Sequence, residues 1–254
     1  MYEKSEIMYE DLFVETSVFM SHVNRAHPYF KQADVIFKTQ PFYTCNLVQG
    51  ELQHIAEVRD RAYVLIVGDE MEKFNRLKDM REAVLSNFKN SKNIVSYIKE
   101  FFQALANDLG IEQDEKYDSS FFDEIKSHAH ILIRPQRVRL KAILQNFSEP
   151  DYRRKHLIFV EFHYPEYAII EKSLMSNIST HNEDFMDIKI IANCIYSAYY
   201  HNRSYSFVSG DNFFSRNEKI FHKIMMQKFH QSEENIGENI LRVCIRPLSS
   251  FTAC

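Results

Sequence analysis

The stretch that decides the fold is residues 185–214, FMDIKIIANCIYSAYYHNRSYSFVSGDNFF. Apolar side chains recur at helical spacing through its first half, and residues 204–208 form a short β-prone run. The stretch therefore predicts a helix followed by a strand. Asp187 opens the helix and Asp211 follows the strand. Because open α/β sheets bind ligands beyond the carboxyl ends of their strands, this unit is a candidate metal site.

The chain on both sides of this stretch alternates between strand and helix patterns. Residues 11–20 begin as a strand and turn through Glu15 into a helix that Thr16 or Ser17 can cap. Glu51 lies about one turn into a helix that follows a strand at 42–45. Further helices are predicted over 28–39, 165–177 and 216–229, and further strands over 157–162 and 241–245. The pattern predicts an α/β fold, with a parallel sheet of about five strands flanked by helices.

The middle of the chain changes to long, highly charged helical patterns. We predict a discontinuous α/β domain, residues 1–66 and 156–254, interrupted by a mainly helical insertion, residues 67–155. A short helix is expected from residue 120 to about 133, and a basic group follows it. That group comprises Arg134, Arg137, Arg139, Arg153, Arg154 and Lys155. Such a group is more often a solvated face, and the alternative is a surface that contacts RNA phosphates.

Composition narrows the class of protein. The chain has 254 residues and a formal net charge of −4, which argues against wholesale wrapping by nucleic acid but leaves room for a local basic surface. The four cysteines have no Cys-x-x-Cys spacing, so we expect reduced thiols in a cytoplasmic protein. No signal-peptide pattern or long apolar run indicates secretion or a membrane span. The motifs of dinucleotide-binding, P-loop and α/β-hydrolase enzymes do not occur.

Four acids stand at comparable places on separate predicted elements: Glu15, Glu51, Asp187 and Asp211. Each alone has an ordinary explanation, such as a helix-dipole contact, a turn residue or a solvated side chain. Together they would repel one another unless a cation joined them, because neighbouring carboxylates raise each other's pKa. Hard oxygen ligands of this kind suit Mg²⁺ or Mn²⁺, which can activate a water for attack on a phosphodiester. The sequence therefore predicts a metal cluster of these four residues.

Four segments carrying these acids resemble the PIN-domain nucleases. They are FVETSVFM at 13–20, NLVQGEL at 46–52, DIKIIANCI at 187–195 and FVSGDNFF at 207–214. Matched position by position, Glu15, Glu51, Asp187 and Asp211 correspond to the family's four metal-binding acids. Ser209 corresponds to the hydroxyl residue that supports the last acid. The resemblance covers about residues 9–66 and 156–247 and does not explain the insertion.

The resemblance implies a metal-dependent endoribonuclease that holds one or two Mg²⁺ or Mn²⁺ ions and hydrolyses RNA. Two positions depart from the family pattern: Glu15 replaces the usual first Asp, and Phe213 stands where many members carry a further acid.

Two alternatives to the ribonuclease stay open, an inactive PIN-fold module that binds RNA or protein, and a flap-type DNA nuclease. Thr16 and Ser17 are candidate supporting residues. A protein regulator and a homodimer are further candidate partners, and the insertion is a candidate lid, dimer surface or substrate arm.

Overall fold

A computed structural model describes residues 11–39, 42–88, 92–118, 120–158, 165–178, 185–201, 203–229 and 243–251. The strands are β1 (Asp11–Val14), β2 (Phe42–Cys45), β3 (Leu157–Ile158), β4 (Tyr205–Ser209) and β5 (Val243–Pro247). The helices are α1 (Thr16–Val23), α2 (Phe30–Thr39), α3 (Asn46–Val67), α4 (Leu77–Leu85), α5 (Lys92–Leu109), α6 (Phe121–Ser148), α7 (Pro150–His156), α8 (Pro165–Asn177), α9 (Phe185–Tyr200) and α10 (Asn212–Phe229). Short 3₁₀ helices span Asp69–Lys73 and Leu248–Ser250.

The five strands form one parallel sheet in the order β3-β2-β1-β4-β5. This confirms the predicted α/β class and the parallel sheet flanked by helices. The first three strands step outward in one direction from β1, and β4 and β5 step outward in the other. The order therefore reverses between β1 and β4, and the carboxyl ends of these two strands border the crevice where such sheets bind ligands.

Central strands are apolar because helices cover both faces of a parallel sheet. Every residue of β4 is buried, and the rings of Phe13 in β1 and Phe207 in β4 stack with centroids 5.7 Å apart. Helix α9 is buried on nearly all sides from Ile188 to Ala198, and it packs against α8. A helix that is apolar all round belongs in the interior. The stretch that decides the fold thus supplies both a central helix and a central strand.

The contacts within the chain divide it into two compact units, Met1–Glu51 with Leu144–Cys254 and Leu52–Ile143. The first unit contains the sheet. The second has a helical core of its own, in which Ile66, Met80, Phe102 and Ile125 are among the fully buried side chains. The two divisions fall inside α3 and α6. The predicted bounds of the insertion, residues 67 and 155, stay a prediction.

Most predicted elements lie where they were expected, but one helix was predicted wrongly. The helix predicted to end at about residue 133 continues to Ser148 as α6, with Pro135 inside it. Pro removes one backbone hydrogen bond and is costly in a helix interior. Ile133, Leu140 and Phe147, spaced seven residues apart, are all buried and maintain the helix past that point. Parts of two predicted strands, residues 159–162 and 241–242, lie outside the described residues.

Candidate active site at the carboxyl edge of the sheet

The predicted first acid lies where the topology reverses. β1 ends at Val14, Glu15 follows it, and α1 begins at Thr16. The parallel register pairs Val14 with Val208, and the Glu15 backbone N–H donates to the Val208 carbonyl at 3.4 Å. Glu15 is therefore held at the carboxyl edge of the two central strands.

Glu15 itself, not Thr16 or Ser17, caps α1. Its backbone is extended, with φ of −101° and ψ of 178°, and its Oε2 accepts a hydrogen bond from the Ser17 backbone N–H at 2.7 Å. The Ser17 hydroxyl donates to the other carboxylate oxygen. The predicted caps were therefore wrong by one position. The Glu side chain is long enough to fold back over the first turn, where it satisfies an N–H that lacks a partner within the helix.

The Glu15 carboxyl is almost completely removed from solvent, with 3% of its surface exposed. This burial raises its pKa to about 7, because a charged carboxylate is poorly solvated there. Hydrogen bonds from Ser17 and Ser209 favour the charged form and lower the pKa, while the negative charge of Glu51 adds to the increase. A carboxyl group poised near neutral pH beside a second acid is typical of functional sites.

Glu51 approaches this group from the helix that follows β2. The Thr16 hydroxyl donates a hydrogen bond to Glu51 Oε2, which fixes the second acid against the first turn of α1. Glu51 is partly exposed, unlike Glu15. The structure thus joins the first two predicted acids and the predicted supporting residue Thr16, although 36 positions separate the acids in the sequence.

Ser17 also links the ends of β1 and β4. Besides donating to Glu15, its hydroxyl accepts a hydrogen bond from the Gly210 N–H at 2.7 Å. A Cβ on Gly210 would lie 3.0 Å from this same oxygen, so any other residue would have to push Ser17 away slightly. One hydroxyl therefore holds the loop after β4 against the N-terminus of α1.

Asp211 and Ser209 form the end of β4. The Asp211 N–H donates to the Ser209 hydroxyl at 2.8 Å, and Asp211 Oδ1 accepts from the Phe213 N–H at 2.7 Å. Asp211 thus caps the start of α10, and its side chain is exposed. Ser209 contacts both the Asp211 backbone and Glu15, and its supporting role at a metal site stays a prediction.

Asp187 lies in the first turn of α9 and is partly exposed. Within the described ranges, no group of three or more His, Cys, Asp or Glu side chains is arranged to hold a metal ion. The structure thus holds Glu51 against Thr16, the residue after Glu15, and places Asp211 after the adjoining strand. The convergence of all four acids on one ion stays a prediction.

The predicted basic group is divided between two parts of the fold. Arg134, Arg137 and Arg139 lie in α6, within the unit Leu52–Ile143. Arg137 forms an ion pair with Asp60, and its guanidinium lies 4.6 Å from the centroid of the Tyr63 ring. Arg134 is exposed. Arg137 therefore already has a structural role in that unit.

Arg153, Arg154 and Lys155 lie in the last turn of α7, immediately before β3 begins at Leu157. Because all strands are parallel, the start of β3 belongs to the amino edge of the sheet. The structure consequently places these three residues at the opposite edge from Glu15 and Asp211. The prediction grouped these three residues with Arg134, Arg137 and Arg139 by charge alone, although their place before the strand predicted at 157–162 already assigned them to the amino edge.

The sequence interpretation also missed residues that join Arg154 and Lys155 at the amino edge. Tyr43, His201 and Arg203 line the same cleft. Arg203 donates to the Tyr43 hydroxyl and pairs with Asp11 at 3.4 Å. The available signal was the group of aromatic and basic residues at the end of α9 and directly after it, YYHNR at 199–203.

Comparison with family models, with curated proteins and with solved structures finds no match to this chain. The function of the chain must therefore be inferred from its own residues.

In the part of the chain that the structure describes, no helix is sufficiently long and apolar to cross a bilayer. Cys45, Cys194 and Cys244 are free thiols.

Proposed function

We propose that the chain is a divalent-metal-dependent nuclease with a PIN-like fold, acting as an endoribonuclease on RNA in the cytoplasm. One observation carries the proposal: Thr16, next in the chain to the buried acid Glu15, donates a hydrogen bond to Glu51, so two acids lie where the order of a parallel sheet reverses. Asp211 follows the strand next to β1. Ligands of α/β proteins bind at such a reversal, and acids there are suited to cation and phosphate chemistry.

The donor chemistry fits Mg²⁺ or Mn²⁺. Glu15, Glu51, Asp187 and Asp211 would supply hard carboxylate oxygens. The raised pKa of Glu15 reflects burial and the charge of Glu51, and a bound cation would relieve both effects. When bound, the cation would lower the pKa of a water and offset charge on the leaving oxygen.

The chain's own residues would orient these acids. Thr16 holds Glu51 by a hydrogen bond, and Ser17 holds Glu15 and the Gly210 backbone at once. Ser209 fixes the backbone of Asp211. Supporting hydrogen bonds of this type keep carboxylates in position and reduce the reorganisation needed on binding.

The test is cleavage of single-stranded and structured RNA with Mg²⁺ or Mn²⁺. Asp187→Asn should abolish cleavage while leaving the circular dichroism spectrum and thermal unfolding unchanged. Glu166→Gln, an exposed acid in the first turn of α8, is the matched control and should cleave at the wild-type rate. Metal-independent cleavage that survives Asp187→Asn would refute the proposal. DNA strands of the same sequence separate the ribonuclease from a flap-type DNA nuclease.

A second candidate is a PIN-fold module that binds RNA or a protein regulator without catalysis. The observation in its favour is that both Glu15 oxygens already accept hydrogen bonds from Ser17, as a helix cap does. Calorimetric titration with Mn²⁺ separates the two candidates. The nuclease requires millimolar or tighter binding that Asp211→Ala weakens, whereas the module predicts no such binding.

A further inference from the structure

The amino edge of the sheet contains a cleft of about 290 Å³, formed by the starts of β2, β3 and β4 and the ends of α7 and α9. Its lining includes two cations from α7, Arg154 and Lys155, and one from the loop after α9, Arg203. Two aromatic side chains, Tyr43 and His201, also line it. This volume is near the lower end of the roughly 300–1,000 Å³ typical of ligand pockets, enough for about one nucleotide.

Two of the three cations that line the cleft, Arg154 and Lys155, are available to an anion. The ion pair between Arg154 and Asp151 is highly exposed, with 76% and 83% of the two side chains accessible. Exposed pairs of this kind contribute little free energy, so Arg154 can turn to a phosphate at small cost. Lys155 is exposed beside it. Basic residues at the end of α7 also complement the helix dipole, whereas Arg203, which follows α9, donates to the Tyr43 hydroxyl and pairs with Asp11.

Exposed aromatic rings surround the same edge. Tyr199 and Tyr200, at the end of α9, are 46% and 61% accessible, and the Tyr200 ring contacts His201 edge to face at 5.2 Å. Exposed apolar side chains are ordinary when scattered singly, but these two rings are adjacent in the chain and one of them contacts His201 of the cleft. Aromatic faces beside a row of cations are the combination that holds single-stranded nucleic acid, by stacking on bases and pairing with phosphates.

We propose that this amino-edge cleft is a binding site for single-stranded nucleic acid, separate from the acids at the carboxyl edge. Arg154 and Lys155 contact backbone phosphates, and a base stacks against the face of either His201 or Tyr200, whose rings are perpendicular to each other. Arg203 is held by Tyr43 and Asp11 and forms the wall of the cleft. The inference shares its ligand class with the proposed nuclease but uses none of its acids.

The test measures binding without divalent metal, so that it is independent of cleavage. Fluorescence anisotropy with short labelled oligouridylate and oligothymidylate in EDTA gives Kd as a function of salt. Each phosphate contact to a single strand contributes a slope of about 0.7 in log K against log salt, or about 5-fold in affinity at 0.1 M salt. Arg154→Ala with Lys155→Ala should therefore weaken binding about 25-fold and flatten the salt dependence.

The matched control is Lys172→Ala with Lys219→Ala, which removes the same charge from exposed positions on α8 and α10. It should bind like wild type. Failure of the wild-type protein to bind either oligonucleotide, or equal affinity of both double variants, would overturn the proposal. Photo-crosslinking with 4-thiouridine gives a second measurement, with crosslinks expected at His201 or Tyr200. Crosslinks confined to other peptides would also overturn it. Loss of cleavage in Asp187→Asn with binding intact would separate the two sites.

Discussion

The two edges of the sheet carry opposite charge, and the charge is buried at one edge and exposed to solvent at the other. At the carboxyl edge, Glu15 is buried and held by hydrogen bonds from Ser17 and Ser209. At the amino edge, Arg154 and Lys155 are exposed, and the ion pair of Arg154 lies in solvent. A buried charge is linked to folding through its pKa, whereas a solvated charge is not. Substitution of the buried Glu15 should therefore change activity and stability together, and substitutions at the amino edge should change binding alone.

The largest expected effect tests whether the carboxyl edge is catalytic. Glu51→Gln keeps the shape of the side chain and its hydrogen bond from Thr16 but removes the charge. We expect RNA cleavage to decrease on the order of 100-fold or more, because loss of even a supporting group around a metal costs about 10–100-fold. Initial rates at saturating Mn²⁺ provide the measurement. The control is Glu57→Gln, which changes an exposed acid on the same helix. Equal cleavage rates for both variants would show that Glu51 takes no part in cleavage.

A second prediction concerns the pH dependence that burial of Glu15 creates. Its pKa is raised from 4.5 to about 7, so the folded protein keeps a proton that the unfolded chain has lost between these values. The free energy of unfolding of the metal-free protein should therefore decrease as pH increases from about 4.5 to 7, by up to about 3 kcal/mol. Glu15→Gln should remove this decrease, because an amide does not titrate in this range. Urea unfolding in metal-free buffer at several pH values measures it.

The control for this prediction is Glu166→Gln on α8, which should keep the wild-type pH dependence. A decrease in stability of equal size in the Glu15→Gln protein would mean that another group is responsible.

Added Mn²⁺ tests whether the carboxyl edge binds a cation. If the cation joins Glu15 and Glu51, it should stabilise the wild-type protein more at pH 8 than at pH 5.5, since it binds the ionised carboxylates.

Much of the carboxyl edge was predictable from the sequence, because its acids follow local signals. β1, the start of α1 and the loop after β4 are set by short apolar runs and by Gly210, so Glu15 and Asp211 could be placed beyond strand ends. The cap was predicted wrongly because Ser, Thr and Asp are the common caps, and here a Glu folds back instead. Its burial depends on residues distant in sequence, such as Ser209, and no local pattern contains that information.

The amino edge could not be predicted in the same way. Tyr43, Lys155 and Arg203 belong to three separate elements, and only strand direction and order bring them together. Arg154 and Lys155 were singled out for their charge, yet charge alone does not tell to which edge a residue belongs.

The length of α6 was also not predictable from local sequence signals. The buried residues Ile133, Leu140 and Phe147 outweigh the local effect of Pro135, and burial is a tertiary property.

A third prediction tests how tightly the carboxyl edge is packed. Gly210→Ala places a Cβ 3.0 Å from the Ser17 hydroxyl, so Ser17 must move and its bonds to Glu15 and Gly210 weaken. We expect a loss of about 1–2 kcal/mol in the free energy of unfolding. Gly50→Ala is the control, since a Cβ there meets nothing within 4 Å on an exposed position of α3. That change should stabilise the protein by about 0.5–1 kcal/mol. If both variants were destabilised, crowding against the Ser17 hydroxyl would not be the reason why alanine is unfavourable at position 210.

The smallest expected effect on stability belongs to the amino edge. Asp151→Asn removes the carboxylate that pairs with Arg154, in the first turn of α7. Because the pair is exposed, the free energy of unfolding should change by no more than about 0.5 kcal/mol. The affinity for oligouridylate in EDTA should increase about 2- to 5-fold at low salt, since one guanidinium is released to a phosphate and one repelling charge is lost. Glu166→Gln is a close match, because Glu166 also follows a proline at the start of a helix, α8. If Asp151→Asn unfolds the protein or leaves the affinity for oligouridylate unchanged, the cations of the amino edge do not serve to bind nucleic acid. The contrast between a buried carboxyl edge and an exposed, ligand-binding amino edge would then be wrong.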